Sequence, residues 1–182
     1  ETYEAYTDYL GVAAMTEEMV SSVALEVLGT TEIQFRGHAI DLAAPWRRIT
    51  FVDAMREYGG PDLEEFTTTE ALRQELRRRG VAAPDTAGYG KLCDEAMSHY
   101  IEPNLIQPTF LMDYPIELSP LAKRKPGNDR LVERFECFIA GFECGNAYTE
   151  LNDPIEQRKR FEHQLLLKEA GLVRPDGHSD LN

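Results

Sequence analysis

The chain has 182 residues, 42% hydrophobic and 28% charged, which suits one globular domain with a sizeable core. Its net charge of −13, from 19 basic and 32 acidic residues, opposes tight binding to nucleic acid over most of the surface. No apolar run nears the roughly 18 residues that span a bilayer, and Cys93, Cys137 and Cys144 lack metal-ligand spacing, so they read as free thiols in a reducing, cytoplasmic setting.

Residues 1–6 alternate polar and aromatic side chains and predict a strand. Thr16 is placed to cap a helix ending at Leu28, with Met19, Val20, Val23, Ala24 and Val27 at helical spacing and Gly29 as its stop. Residues 31–35 and 48–51 read as short strands around a turn-rich stretch at 37–45, followed by a helix at 51–58 that Gly59 and Gly60 close. Thr68 or Thr69 starts a helix over 70–79, ended by Gly80, and a loop at 84–90 leads to a helix at 91–100. Residues 105–111 suit a buried strand in which Pro108 limits pairing, and 118–129 reads as an exposed loop. Strands at 133–140 and 143–151 turn at Gly141; Asp153, Pro154 and Glu156 then start a helix running to 171, before a tail at 172–182.

The chemistry concentrates at 134–153. On a strand, residues i, i+2 and i+4 share a face, so Asn146, Tyr148 and Glu150 point together as an amide, an aromatic wall and a carboxylate. Such a trio can hold a small zwitterion with a cationic tail, and Glu136 with Glu143 adds two carboxylates suited to Mg²⁺ carrying a nucleotide phosphate. The same spacing also describes a wet polar face of an antiparallel sheet. The basic runs 77–79 and 123–125 read as a solvated helix end and a loop, the four histidines are scattered, and Gly88-Tyr89-Gly90-Lys91 reads as a turn rather than a phosphate loop.

Asn-Ala-Tyr-Thr-Glu-Leu-Asn-Asp-Pro at 146–154, Leu-Ile-Gln-Pro-Thr-Phe at 105–110, Tyr-Pro at 114–115 and Ser-Pro-Leu-Ala at 119–122 resemble class II lysyl-tRNA synthetases. The opening residues 1–9 resemble the strand that follows that family's second motif, and the matches run in the family's order to about residue 171. The resemblance implies an α+β fold: part of a class II antiparallel-sheet catalytic domain with helices packed on it, an insertion-like region at about 29–104, a core with the lysine pocket at 105–171, and the tail.

It further implies that Glu1 takes the lysine α-ammonium, Asn146 its carboxylate, Tyr3 with Glu150 its ε-ammonium, and Tyr148 a wall, while Glu136 and Glu143 hold Mg²⁺ on ATP. The implied enzyme joins L-lysine to ATP, passes it to tRNA(Lys) and works as a homodimer without a membrane. Phe142, Gly145 and Ala147 depart from the family pattern beside the pocket, and the family's first motif and its phosphate-gripping arginines have no counterpart in these residues. The resemblance therefore implies a catalytic-domain segment that is inactive alone. Two alternatives stay open: the paralogue that lysylates a translation factor, and a non-catalytic domain derived from a synthetase that binds lysine or a protein.

Overall fold

The computed structural model describes residues 1–169. Asp8 starts helix α1 (Tyr9–Leu28) by accepting from the Leu10 and Gly11 amides, and Gly29 closes it in the left-handed conformation at φ 74°. The helix thus begins well before Thr16, whose hydroxyl instead donates to the Val12 carbonyl one turn back, at 2.8 Å. The expected strand at 1–6 is not formed. An extended segment becomes a strand only by bonding to a neighbour, and here a turn at Ala5-Tyr6, with Tyr6 at φ 63°, diverts the chain into the Asp8 cap.

Strands β1 (Glu32–Phe35) and β2 (His38–Asp41) make an antiparallel hairpin on Arg36-Gly37, both at positive φ (49° and 84°). The stretch read as turn-rich therefore contains a strand, hidden because arginine stands where asparagine or aspartate would announce the turn. Strand β3 (Arg47–Thr50) leads into α2 (Phe51–Glu57), capped by Thr50; α3 (Thr69–Arg78) is capped by Thr68, and α4 (Tyr89–Tyr100) follows. Then come β4 (Thr109–Pro115), β5 (Arg124–Lys125), β6 (Asn128–Ile139), β7 (Phe142–Tyr148) and α5 (Pro154–Glu169). Asp153 caps α5 by accepting from the Ile155 and Glu156 amides; the expected end at 171 and the tail lie outside the described residues.

Strand β4 lies later than its expected 105–111. The carbonyls of Leu105 and Ile106 accept instead from Gly141 and Ala140, at 2.9 and 2.8 Å, strapping the β6–β7 turn, and Pro108 has no amide to give. The 118–129 loop shelters β5 and the start of β6.

The main sheet runs β3-β4-β6, with β5 and β7 both on the far side of β6; β3 and β4 are parallel and the other pairs antiparallel. One face carries Leu111, Tyr114, Val132 and Phe138 against Phe51, Leu72, Leu76 and Leu92 of α2, α3 and α4. The other carries Phe110, Met112, Phe135 and Cys137 against Trp46 and the Tyr9 and Ala13 side of α1. The fold is α+β, helices covering both faces of one sheet. Five of the six residues in the basic runs are paired internally: Arg77 with Asp85, Arg78 and Arg79 with Glu75, Arg124 with Glu156 and Lys125 with Asp113.

Candidate functional site

Strand alternation puts Arg134, Glu136 and Phe138 of β6 on one face. Across the ladder Asn146 opposes Glu136 and Tyr148 opposes Arg134, and directly opposed residues of an antiparallel pair share a face. The register then slips: Gly145 opposes Cys137, but Glu143 opposes Phe138, leaving Cys144 as the extra residue of a bulge. That bulge carries Glu143, three positions from Asn146, onto the same face, where Asn146 Nδ2 donates to Glu143 Oε1 at 3.2 Å. Unbroken alternation would have pointed the two side chains apart.

Glu136 is 6% exposed, and both of its oxygens are engaged. Arg134 Nη2 donates to Oε1 at 2.5 Å, and the buried Tyr114 hydroxyl donates to Oε2 at 2.7 Å. Arg134 in turn donates to Ser119 Oγ at 2.6 Å and the Leu118 carbonyl at 2.9 Å, with its guanidinium 5.0 Å from the centre of the Tyr114 ring. Burial is the chief force on the Glu136 carboxyl and lifts it from 4.5 to about 7; Arg134 opposes the shift, and the Glu143 charge adds to it. Glu102, half-buried, is also raised, by burial first and then by Asp94 and Glu143 despite a hydrogen bond from Ser98.

Beyond β7 the chain changes partners. Lys123 N donates to the Thr149 carbonyl at 2.8 Å and Leu151 N to the Leu121 carbonyl at 2.9 Å, so Glu150 is bridged to Ala122 rather than to β6. Arg160 of α5, 8% exposed, holds that segment by donating to the Ala122 carbonyl at 2.7 Å. Glu150 itself is exposed and Tyr148 half-buried.

Glu1 and Tyr3 reach this end without forming a strand. The Tyr3 hydroxyl donates to Glu1 Oε1 at 2.5 Å. That bond pushes the Tyr3 phenol up, and Glu150 and Tyr148 push it the same way. Partial burial pushes Tyr148 up, with Glu150 and Glu1 adding and Arg134 opposing. Glu1, Tyr3, Tyr148 and Glu150 are thus close enough to influence one another, while Glu136, Glu143 and Asn146 neighbour one another on the ladder, and Arg134 acts on both Glu136 and Tyr148. Sequence reasoning gave no role to Arg134, Tyr114, Ser119, Glu102 or Arg160, although Tyr114 and Ser119 stand in motifs that carry the resemblance and Arg134 lies two residues before Glu136 on the same strand face.

Among the described residues no group of three or more His, Cys, Asp or Glu side chains forms a cation cage. The Glu136–Glu143 pair fits a more modest demand. Magnesium is commonly held by one or two carboxylates and completed by waters and substrate phosphates. A carboxyl raised by burial and by a like-charged neighbour is one that a divalent cation would return to its ionised form. Across the whole site five carboxylates face one guanidinium, which favours ligands bearing ammonium groups or a bound cation.

A profile of the tRNA synthetases class II (D, K and N) matches residues 1–173. Among curated relatives, the chain is 48% identical over 165 residues to a lysine–tRNA ligase of Dehalococcoides mccartyi, covering 91% of this chain and 33% of the relative. It is 47% identical over 178 residues to a lysine–tRNA ligase of Nostoc punctiforme, covering 97% and 32%, and 48% identical over 171 residues to that of Bacillus subtilis, covering 94% and 34%. The chain thus spans about a third of the length of these relatives. With the match extending over nearly all of its residues, the chain belongs to the class II tRNA synthetases of the D, K and N group.

Proposed function

We propose that this chain is the lysine-holding segment of a lysine–tRNA ligase catalytic domain. The observation that carries the reading is the single strand face on which Asn146 and Tyr148 stand in register with Glu136 and Arg134, with Glu150, Glu1 and Tyr3 at its open end. The identity of about 47% to proteins named for lysine supports it.

In this reading Asn146 donates to the lysine carboxylate and Glu1 accepts from the α-ammonium. Tyr148 packs along the methylenes, and Glu150 with Tyr3 meets the ε-ammonium. A shorter or uncharged amino acid would leave Glu150 without its partner, which gives selectivity by a few kcal/mol. Arg134 fixes Glu136, and Glu136 and Glu143 would hold Mg²⁺, which supplies charge neutralisation on ATP phosphates when bound. The lysine carboxylate attacks the α-phosphorus of ATP, forming lysyl-adenylate and releasing pyrophosphate; the lysyl group then passes to tRNA(Lys). What these side chains contribute is position and charge complementarity. The same reading makes residues 29–104 an inserted layer and 105–171 the pocket-bearing core, and it places the chain in a longer cytoplasmic protein that acts as a homodimer.

The test is amino-acid-dependent exchange of pyrophosphate into ATP by the full-length protein. Exchange should depend on L-lysine and fall by about a hundredfold or more in Asn146→Ala, where the carboxylate loses its orientation. Exchange driven by aspartate or asparagine instead of lysine would overturn the assignment.

A further inference from the structure

Behind the polar face, two thiols meet across the same bulge. Cys137 on β6 is 2% exposed and belongs to the layer under α1, whereas Cys144 on β7 is exposed. Their sulfurs lie 3.2 Å apart, and Cys144 Sγ is also 3.2 Å from the Cys137 carbonyl oxygen. The third cysteine, Cys93, is fully buried in α4.

We propose that Cys137 and Cys144 form a peroxide-responsive modification site, closing to an intrachain disulfide that shifts Glu143 and Asn146. Two features carry this. The exposed Cys144 gives an oxidant access, and the buried Cys137 stands within contact distance to resolve the product. Cys144 is the bulged residue, without a ladder partner of its own, so its sulfur can close from 3.2 Å to a bond of about 2 Å by a shift of the bulged segment itself, which carries the flanking side chains with it.

The oxidant is hydrogen peroxide. The Cys144 thiol takes one peroxide oxygen, becoming a sulfenic acid as the other oxygen leaves in water. The Cys137 sulfur then attacks the Cys144 sulfur; the S–O bond breaks, the S–S bond forms, and the hydroxyl leaves as a second water with the Cys137 proton. Two thiols are oxidised and one peroxide is reduced. Glu143 precedes the bulged residue and Asn146 lies two beyond it, so closure moves both. This last consequence rests on the lysine-binding reading.

Trypsin separates the relevant thiols cleanly. Residues 135–158 contain both Cys137 and Cys144 without an internal lysine or arginine, while Cys93 lies in the 92–123 peptide. The purified chain is treated with hydrogen peroxide, alkylated, digested and weighed by mass spectrometry. The 135–158 peptide should lose two hydrogens, reversibly with dithiothreitol, while Cys93 stays reduced. In Cys137→Ser, which lacks the resolving thiol, Cys144 should proceed to sulfinic acid; in Cys144→Ser, Cys137 should stay reduced. Oxygen added to the wild-type peptide, a disulfide between two chains, or reduced thiols at peroxide levels that consume a small free thiol would each overturn the proposal.

Lysine titration of both redox forms of the full-length protein separates the two readings. The oxidised protein should bind about tenfold more weakly, with recovery on reduction. Equal binding in the two states would overturn the coupling. Absence of binding in both, with the disulfide formed, would count against the ligase reading instead.

Discussion

Glu136 and Glu150 belong to one proposed site, yet their surroundings have little in common. Glu136 is 6% exposed with both oxygens bonded and its carboxyl raised to about 7, whereas Glu150 stands in solvent past the end of β7. The first is anchored by Arg134, which is itself tied to Ser119 and Leu118; the second is positioned only through its backbone bridge to Ala122. The contrast separates two tasks. On the proposed lysine-binding reading, the buried end spends folding stability to keep an ion pair in a fixed place, and the open end leaves a carboxylate unpaired so that a ligand can supply its partner.

The largest effect should come from breaking the buried pair. Measured above about pH 7, where the Glu136 carboxyl is ionised, Arg134→Leu strands it among apolar neighbours and should lower unfolding free energy by about 3–5 kcal/mol in urea melts. A loss below about 1 kcal/mol would mean that Glu136 is satisfied without Arg134 and that the two ends differ less than their burial indicates.

Next is the pH response. Because the folded-state value of Glu136 lies above its ordinary 4.5, the native state holds that proton more tightly than the unfolded chain does. Its contribution is complete below pH 4.5 and is lost as pH rises through about 7. The swing is up to about 3 kcal/mol. Melting temperature should therefore fall across that window, and Glu136→Gln should flatten the fall. A wild-type profile as flat as that of the variant would contradict the burial assigned to this carboxyl.

Smaller still, Asp8→Ala removes the side chain that accepts from the Leu10 and Gly11 amides and should destabilise by about 1 kcal/mol. Thr16→Val, which keeps the shape and removes only the donation to Val12, should change stability by less than about 0.5 kcal/mol. The reverse order would restore Thr16 as the start of the helix. At the open end, Glu150→Gln should leave stability within about 0.5 kcal/mol of wild type.

Features set by neighbouring residues were legible in the sequence. Asp153 and Gly29 mark helix ends through local hydrogen bonds and backbone freedom, and the structure uses both as read; of the two threonines offered for the third helix, it uses Thr68. Features that depend on distant partners were not. Residues 1–6 look like a strand because alternation describes a tendency, while a ladder needs a neighbour to bond with. The carbonyls of Leu105 and Ile106 were claimed by the β6–β7 turn, more than thirty residues away in sequence, and the expected strand moved later.

The candidate site divides the same way. Alternation put Asn146 and Tyr148 on one face, and the ladder sets them opposite Glu136 and Arg134, whereas Glu150 leaves that ladder for a bridge to Ala122. The arrival of Glu143 on the face of Asn146 was not readable, because one inserted residue at Cys144 reverses the parity. Arg134 escaped notice because its importance lies in the burial of Glu136 and Tyr114, which a linear reading cannot count.

The most direct test of the central claim is a calorimetric titration of L-lysine into the chain and into its Glu150→Gln variant, with L-arginine as the competitor of like charge. Saturable heat for lysine, absent for arginine and reduced at least about tenfold in affinity by the variant, is the result expected if Glu150 waits for the ε-ammonium. Lysine binding that is equal in both proteins, or matched by arginine, would contradict the division of the site into an anchored end and a ligand-completed one.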